Sequence, residues 1–285
     1  MGVLSQADIR SQYEKIWATE RALSKAGSPS LYCSQAEEMV VAPVYLDLLR
    51  DLRPALGQGH GHVLDVGSGA GRWVRFFQEA VKPRTILGVD VTHESVELLR
   101  TRFAPTGTTT VEFRAADITD PALDLGASGF DLINIANVLF HIPEHDLYER
   151  ALANLRKHVA PGGLVVTTEY LPRTDMRTAW MLVRSRYAFE KLVGKAGFRI
   201  ADIRAFSIFT NDPMGLDGPD DGTRALFGRV RAQFQSLVNA SADAKTVAFL
   251  DDLQASIDRA VLAFCKERVS TIEMPSQKLV ALAPV

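Results

Sequence analysis

The strongest constraint on the fold is an apolar strand that leads into a glycine-rich turn and then into a helix, near residues 63–73. The stretch reads Val63-Leu64-Asp65-Val66-Gly67-Ser68-Gly69-Ala70-Gly71-Arg72-Trp73. Glycines suit such a turn because the backbone bends sharply and because a Cβ would keep a ligand from approaching the main chain. We therefore expect a ligand site at the end of this strand.

Downstream of His62, short β-branched runs alternate with stretches of helical periodicity. This alternation is typical of βαβ units and predicts an α/β fold with a doubly wound sheet. We expect seven strands, at His62–Val66, Thr85–Val89, Thr110–Ala115, Phe130–Ala136, Leu164–Glu169, Phe198–Phe209 and Lys278–Ala283. We expect the intervening helices near Gly71–Val81, His93–Phe103, His145–Val159 and Arg184–Ala196, and a turn at Pro161-Gly162-Gly163.

Two helical regions lie outside this pattern. The N-terminal region predicts a helix after a capping box of Ser5 and Asp8, then a second helix over about Gln35–Leu52 with a kink or a new start at Pro43. The other region predicts a loop over Asn211–Thr223, followed by two amphipathic helices. We therefore divide the chain into a helical cap (1–60), a core (61–210), a helical insert (211–277) and a final strand (278–285).

The composition argues against several classes of function. The 32 Lys and Arg are balanced by 34 Asp and Glu, a net charge of −2, which disfavours nucleic acid as a partner. Cys33 and Cys265 lack the spacing of a metal site or of a disulfide framework, so we expect no metal. The sequence shows no signal peptide in Met1–Arg10 and no apolar run near the roughly 18 residues of a membrane span. We therefore expect a cytoplasmic protein with no membrane partner.

The spacing within the glycine turn favours one class of ligand. It reads G-x-G-x-G, whereas a dinucleotide pyrophosphate at a helix N-terminus requires G-x-G-x-x-G. Asp65 precedes the turn, where a carboxylate would repel a pyrophosphate but suits a ligand that carries an ammonium group and a sulfonium. Asp90 ends the second strand, where its carboxylate can accept hydrogen bonds from both hydroxyls of a ribose.

With these residues, the sequence resembles the class I S-adenosylmethionine-dependent methyltransferases over about Val63–Phe209. The resemblance extends to Ala116-Asp117-Ile118 as an adenine-side motif, to Phe130–Ile142 as a fourth-strand motif and to a Pro-Gly-Gly turn at 161–163. It implies a mostly parallel, Rossmann-like sheet with an antiparallel final strand, and S-adenosylmethionine as cofactor. The donor-site residues that it implies are Asp65, Gly67, Ser68, Gly69, Gly71, Arg72, Asp90, Val91, Asp117, Ile118, Ile135 and Ala136.

Alternatives stay open for the three acids and for the protein class. Asp65 could cap the following turn, Asp90 could be a solvated loop acid, and Asp117 could cap a short helical turn. A NAD-dependent oxidoreductase would carry the G-x-G-x-x-G that is missing here. A non-catalytic partner protein on the methyltransferase fold would typically have lost the three acids. An aminopropyl transferase would need further acids to hold a polyamine.

His141 and Glu169 are the candidate catalytic residues. A hydroxyl acceptor needs a base, and the ordinary histidine pKa of about 6.5 suits proton abstraction at neutral pH. His141 follows the fourth strand, and Glu169 and Tyr170 end the fifth, so all three are expected on the acceptor side. His141 could instead pack beside the donor, and Glu169 could instead anchor an ammonium group or be solvated. Tyr13 and Trp17 are expected to be core residues of the cap.

The expected acceptor is a small molecule of the kind methylated in secondary metabolism, with O-methylation favoured over N- or C-methylation. After the fourth strand the chain reads Asn137-Val138-Leu139-Phe140, which lacks the two prolines of the enzymes that methylate adenine or glutamine. Neither cysteine follows a proline, as cytosine C5 chemistry requires. We expect the insert to pack with residues 1–60 as a lid over the acceptor pocket. A homodimer formed through the same helices is the alternative.

Overall fold

A seven-stranded sheet forms the centre of the protein in a computed structural model. The structure describes residues 4–25, 35–54, 56, 60–103, 109–126, 129–208, 221–241, 243–274 and 276–285. The described strands are β1 (His62–Val66), β2 (Thr85–Asp90), β3 (Thr110–Ala115), β4 (Phe130–Ile135), β5 (Val159–Glu169), β6 (Met176–Arg177), β7 (Leu182–Val183), β8 (Phe198–Ser207) and β9 (Gln277–Pro284).

The strands of the large sheet follow the order β3-β2-β1-β4-β5-β9-β8. The first five strands are mutually parallel, and β9 runs antiparallel to both β5 and β8. The strand order reverses between β1 and β4, which opens a crevice at the carboxyl ends of these strands. The doubly wound, mostly parallel α/β sheet of the Rossmann-like type is therefore confirmed.

Helices cover both faces of the sheet. They are α1 (Gln6–Lys25), α2 (Gln35–Leu52), α3 (Arg72–Phe76), α4 (His93–Arg102), α5 (His145–His158), α6 (Arg186–Lys195), α7 (Asp221–Ala240) and α8 (Ala244–Lys266). Successive strand residues point to opposite faces. Val63 of β1 packs in the cluster that contains α2, α3 and α4, whereas its neighbour Leu64 packs in the cluster that contains α5 and α6. Within the described ranges, no helix combines the length and the apolar character that a membrane crossing requires.

Two predicted helices differ from the structure. The helix expected over Gly71–Val81 consists of α3 and a π-helical turn at Phe77–Val81. It begins after Gly71 because this glycine, with φ of 88°, has a left-handed conformation that cannot continue a right-handed helix. The helix α2 runs without interruption through Pro43, so this proline does not mark a new start.

Several strand and loop boundaries also differ from the predictions. The strand β5 begins at Val159 rather than Leu164, because Val159 pairs with Phe130 before the register shifts at a bulge. The turn expected at 161–163 therefore lies inside the strand. The helix α7 begins at Asp221, so the end of the predicted Asn211–Thr223 loop is helical, while residues 211–220 lie outside the described residues. The sequence analysis missed the short hairpin of β6 and β7.

Helix α8 of the insert lies beside α2 and β8, and α7 packs against α8. Asp258 of α8 accepts hydrogen bonds from the Ile208 amide at 2.7 Å and the Ser207 hydroxyl at 3.0 Å. Arg259 donates to the carbonyl of Met39 on α2 at 3.5 Å. The insert thus contacts the N-terminal region, as expected, but no described residue of α7 or α8 lines the ligand cavity. The lid and the homodimer both stay predictions.

Gly71 allows a test of the local fold. Its φ of 88° is strained for other residues, and a Cβ there would overlap the ring of Phe103. We expect Gly71→Ala to destabilise the protein by about 2–4 kcal/mol in urea unfolding. Gly194→Ala is the matched control, because Gly194 lies in α6 with no atom within 4 Å of the added Cβ. The free energy of unfolding of this control should rise by up to about 1 kcal/mol, because alanine has a higher helix propensity than glycine. Equal unfolding midpoints for the two variants would contradict this account.

Candidate active site

A cavity of about 440 Å³ opens at the carboxyl ends of the parallel strands, where the strand order reverses. Helix α1 forms its opposite wall through residues that include Tyr13 and Trp17. The predicted site residues that line it are Gly67, Ser68, Gly69, Arg72, Asp90, Val91, Asp117, Ile118, Ala136 and His141. The predicted residues outside its lining are Asp65, Gly71, Ile135 and Glu169.

The glycine turn forms the floor of the cavity. The amides of Gly67 and Ser68 donate to the carbonyl of Val89 on β2, at 2.8 and 3.1 Å. Gly67 has φ of 71°, and a Cβ there would overlap the side chain of Val138. A side chain at this position would therefore displace Val138 in the segment after β4. The role of Gly71 differs, since it starts α3 and packs under Phe103, away from the cavity.

Asp90, at the end of β2, is hydrogen-bonded to the glycine turn. One carboxylate oxygen accepts from the Gly69 amide at 3.0 Å, and the other accepts from the amide and hydroxyl of Thr92 at 3.0 and 2.8 Å. Burial raises the pKa of this carboxyl, while these hydrogen bonds oppose the rise. Asp90 is therefore no solvated loop acid. A carboxylate oxygen has room for more than one donor, so Asp90 can also face a ligand while it supports the turn.

Asp65 is fully buried behind the turn. Its Oδ1 accepts from the Asn134 amide nitrogen at 2.7 Å, and Asn134 in turn accepts from the Tyr45 hydroxyl at 3.0 Å. Its Oδ2 has no hydrogen-bond partner among the described residues. Burial raises the pKa of Asp65 to about 6. An unpartnered buried carboxylate oxygen is costly, and a cationic ligand group beside it would relieve that cost.

Asp117 faces the cavity and also stabilises a turn. Its Oδ1 accepts from the amide of Thr119 at 2.8 Å and from the Thr119 hydroxyl at 2.7 Å. The capping geometry considered as an alternative is thus present, and the side chain lines the cavity as well. The two roles are compatible because capping engages one of the two carboxylate oxygens.

His141 ends the 3₁₀ turn that follows β4 and lines the cavity. Its Nδ1 lies 3.1 Å from the carbonyl oxygen of Trp180, and its Nε2 lies 3.0 Å from the Tyr13 hydroxyl. Because a carbonyl can only accept, Nδ1 carries the hydrogen and Nε2 keeps its lone pair. Burial lowers the pKa of His141 to about 4. The ring is therefore neutral at pH 7, and the lone pair of Nε2 points at the Tyr13 hydroxyl.

Glu169 lies apart from the cavity, contrary to the predicted acceptor-side position. Side chains alternate along β5, so Tyr170 lines the cavity whereas Glu169 points into the interior. It accepts from the Thr167 hydroxyl at 3.1 Å and lies in the field of Arg184. Burial raises its pKa to about 8. Glu169 is therefore largely protonated at neutral pH, and it is neither solvated nor positioned to touch a ligand in the cavity.

Several residues of the cavity were missed or assigned to the core. Tyr13 and Trp17 both line it, and the Trp17 ring lies so near Gly69 that a Cβ on this residue would overlap it. Phe140 and Met181 were missed, and they form an apolar wall near His141 together with Tyr170, which was expected on the acceptor side. Aromatic residues at helical spacing are an ordinary core pattern, so the sequence carries no signal that separates these residues from the core.

The comparisons with known proteins agree with this geometry. Residues 63–163 match the family described as methyltransferase domain. Over 134 residues the chain is 31% identical to erythromycin 3''-O-methyltransferase from Saccharopolyspora erythraea, a match that covers 46% of this chain. The chain spans 42% of the length of that curated relative.

Two solved structures share the fold at low sequence identity. The [4+2]-cyclase SpnF has a TM-score of 0.58 and 18% identity, and the alignment covers 100% of this chain and 99% of that one. Magnesium protoporphyrin IX methyltransferase from Synechocystis PCC 6803, solved with bound S-adenosylmethionine, has a TM-score of 0.52 and 15% identity, with 73% and 93% covered. The likeness is therefore to a methyltransferase domain over residues 63–163, and the fold that these two solved structures share with the chain agrees with it.

Proposed function

We propose that this protein transfers a methyl group from S-adenosylmethionine to a hydroxyl group of a small molecule, with His141 as the base. The observation that carries the proposal is the unprotonated Nε2 of a neutral imidazole, in contact with the Tyr13 hydroxyl, in the cavity that contains the glycine turn. The erythromycin O-methyltransferase relative supports a small-molecule acceptor and an oxygen atom as the site of methylation. N- or C-methylation is the alternative chemistry on the same donor site.

The residues of the cavity fit this cofactor. A Cβ at Gly67 or Gly69 would overlap Val138 or Trp17, which both line the cavity, so the turn fits only without side chains. The unpartnered Oδ2 of Asp65, directly behind the turn, suits an ammonium group. Asp90 and Asp117 would hold the ribose and the adenine amine, since each carboxylate faces the cavity. Gly67, Ser68, Gly69, Arg72, Val91, Ile118 and Ala136 would line the same donor half, and Ile135 and Gly71 would support it from behind.

The chemistry divides between cofactor and protein. When bound, S-adenosylmethionine supplies an electrophilic methyl group on its sulfonium. The protein aligns the acceptor oxygen, excludes water with α1 and removes the acceptor proton. In the structure, Tyr13 donates to His141 Nε2. The acceptor hydroxyl would either replace Tyr13 at Nε2 or donate to the Tyr13 oxygen as the phenol proton moves to His141.

Donor binding is the first test and needs no acceptor. We expect calorimetry to detect S-adenosylhomocysteine binding and no binding of NAD. Below pH 6, affinity for S-adenosylhomocysteine should fall by up to about tenfold per pH unit, because protonation of Asp65 removes the charge opposite the ammonium. Asp65→Asn should weaken binding at pH 7.5 and flatten this pH dependence.

The control ligand is 5′-methylthioadenosine, which lacks the amino acid part. Its affinity should not depend on Asp65, so Asp65→Asn should leave it unchanged. Tight NAD binding without a response to S-adenosylhomocysteine would contradict the proposal and favour an oxidoreductase. Binding of neither ligand would favour a non-catalytic protein.

The base assignment is tested by methyl transfer from radiolabelled S-adenosylmethionine to a panel of hydroxylated small molecules. His141→Ala should lower turnover by roughly 10²–10⁴-fold while donor affinity is preserved. At saturating S-adenosylmethionine, which removes the effect of Asp65 on donor affinity, the wild-type rate should decline only as the pH falls towards 4, where His141 becomes protonated. Glu169→Gln is the matched control and should keep turnover at pH 7, because the carboxyl that it replaces is already protonated. Normal turnover in His141→Ala, or inactivity of Glu169→Gln, would overturn the assignment.

A further inference from the structure

The tautomer of His141 is fixed by one backbone carbonyl. A hydroxyl can donate or accept, so the contact between Tyr13 and Nε2 is compatible with either tautomer. The carbonyl of Trp180 can only accept, so it selects the ring with hydrogen on Nδ1. A base needs the opposite nitrogen free on the cavity side. The position of the Trp180 carbonyl relative to the ring therefore determines whether His141 can accept a proton from the cavity.

The turn between β6 and β7 orients this carbonyl. The Thr178 amide donates to the carbonyl of Met181 at 3.0 Å. The Thr178 hydroxyl oxygen accepts from the amides of Trp180 and Met181, at 3.2 and 3.1 Å. Because the Trp180 amide is held by the Thr178 hydroxyl, the Trp180 carbonyl points towards the imidazole of His141. The base of the hairpin is closed by the Ser185 amide, which donates to Asp175 at 2.7 Å.

Arg184 connects this hairpin to the segment that carries His141. It directly follows β7 and is buried, with 4% of its surface exposed. Its Nη2 donates to the carbonyl of Ile142 at 3.0 Å and approaches that of Pro143 at 3.5 Å. These are the two residues after His141. The hairpin thus contacts the His141 segment twice, once through Trp180 at the ring and once through Arg184 at the backbone.

The surroundings of Arg184 restrict its position further. The guanidinium lies over the ring of Tyr148 on α5, with its central carbon 3.6 Å from the ring centroid. Glu169 on β5 lies close enough to interact electrostatically with it. A planar guanidinium can stack on a ring and donate in its own plane at the same time. The cation is therefore held against the core while it reaches the two carbonyls.

We propose that Arg184 is a positioning residue for His141. By fixing the Ile142–Pro143 backbone relative to the β6–β7 hairpin, it keeps the imidazole against the Trp180 carbonyl and so keeps Nε2 unprotonated. The inference rests on the proposed function, since an unprotonated Nε2 matters for catalysis only if His141 is the base. The structural claim itself concerns the tautomer, which is measured without any donor or acceptor.

The experiment is ¹⁵N NMR of the full-length protein labelled on histidine, at pH 7.5. The chain has six histidines, so His141→Gln is used to assign the His141 ring signals. The wild type should show the tautomer protonated on Nδ1. In Arg184→Met, the ratio of the two tautomers should shift towards Nε2–H by at least about fivefold, the factor that one ordinary hydrogen bond contributes.

Two further variants keep the test decisive. Arg186→Met is the matched control, because Arg186 is an exposed arginine two residues on that pairs with Glu190 at 2.6 Å. It should leave the tautomer unchanged. Thr178→Val removes the hydroxyl that accepts from the amides of Trp180 and Met181, in contacts that are exposed and half-buried. It should therefore release the turn and shift the tautomer, which provides the test if Arg184→Met fails to fold.

The outcomes separate this inference from the proposed function. A merely structural role for Arg184 would lower the melting temperature and leave the His141 tautomer as in the wild type. An unchanged tautomer in folded Arg184→Met, or in Thr178→Val if the first variant does not fold, overturns the inference. A shifted tautomer supports it even if S-adenosylhomocysteine does not bind, a result that would count against the proposed function alone.

Discussion

The carboxylate of Asp90 is the contact on which the ligand-binding edge of the sheet depends. It joins the Gly69 amide in the turn after β1 to Thr92 at the start of α4. Glycines contribute no side chains to packing, so the turn is held by hydrogen bonds, among them those of Asp90 and those from the Gly67 and Ser68 amides to the Val89 carbonyl. Burial of this carboxyl is costly, as its raised pKa indicates, and three hydrogen bonds offset that cost. Asp90 therefore supports the fold and also lies in the proposed donor site.

The chemistry of the cavity depends on segments that are distant in the chain. Tyr13 comes from α1, His141 from the end of β4, and the Trp180 carbonyl from the β6–β7 turn. The start of α1 is attached to the same region, because the Leu4 amide donates to the carbonyl of Ala179 at 3.1 Å. This enclosure leaves His141 only partly exposed to water and lowers its pKa. The same contacts that make the ring a weaker base keep it unprotonated at neutral pH.

Local patterns made much of the fold predictable. The bounds of β1 and β3 match the sequence prediction, since alternating apolar runs and flanking turn residues define such strands. The spacing of the glycines also located the turn after β1, because glycines are favoured where the backbone bends sharply. The orientation of Glu169 was not predictable, because which face of the sheet a strand-terminal residue points to depends on the register and exact end of the strand. The contact of the Trp180 carbonyl with His141 could not be predicted from the sequence, because any residue provides a backbone carbonyl.

The central claim is that the cavity between the glycine turn and α1 holds the donor with its reacting sulfur towards His141. A crystal structure of the complex with S-adenosylhomocysteine tests this most directly. The account predicts the adenosyl part between Asp90 and Asp117, the ammonium at Asp65 and the sulfur open to the space beside His141. A ligand bound outside this cavity, or a sulfur turned away from His141 and enclosed by other side chains, would contradict it.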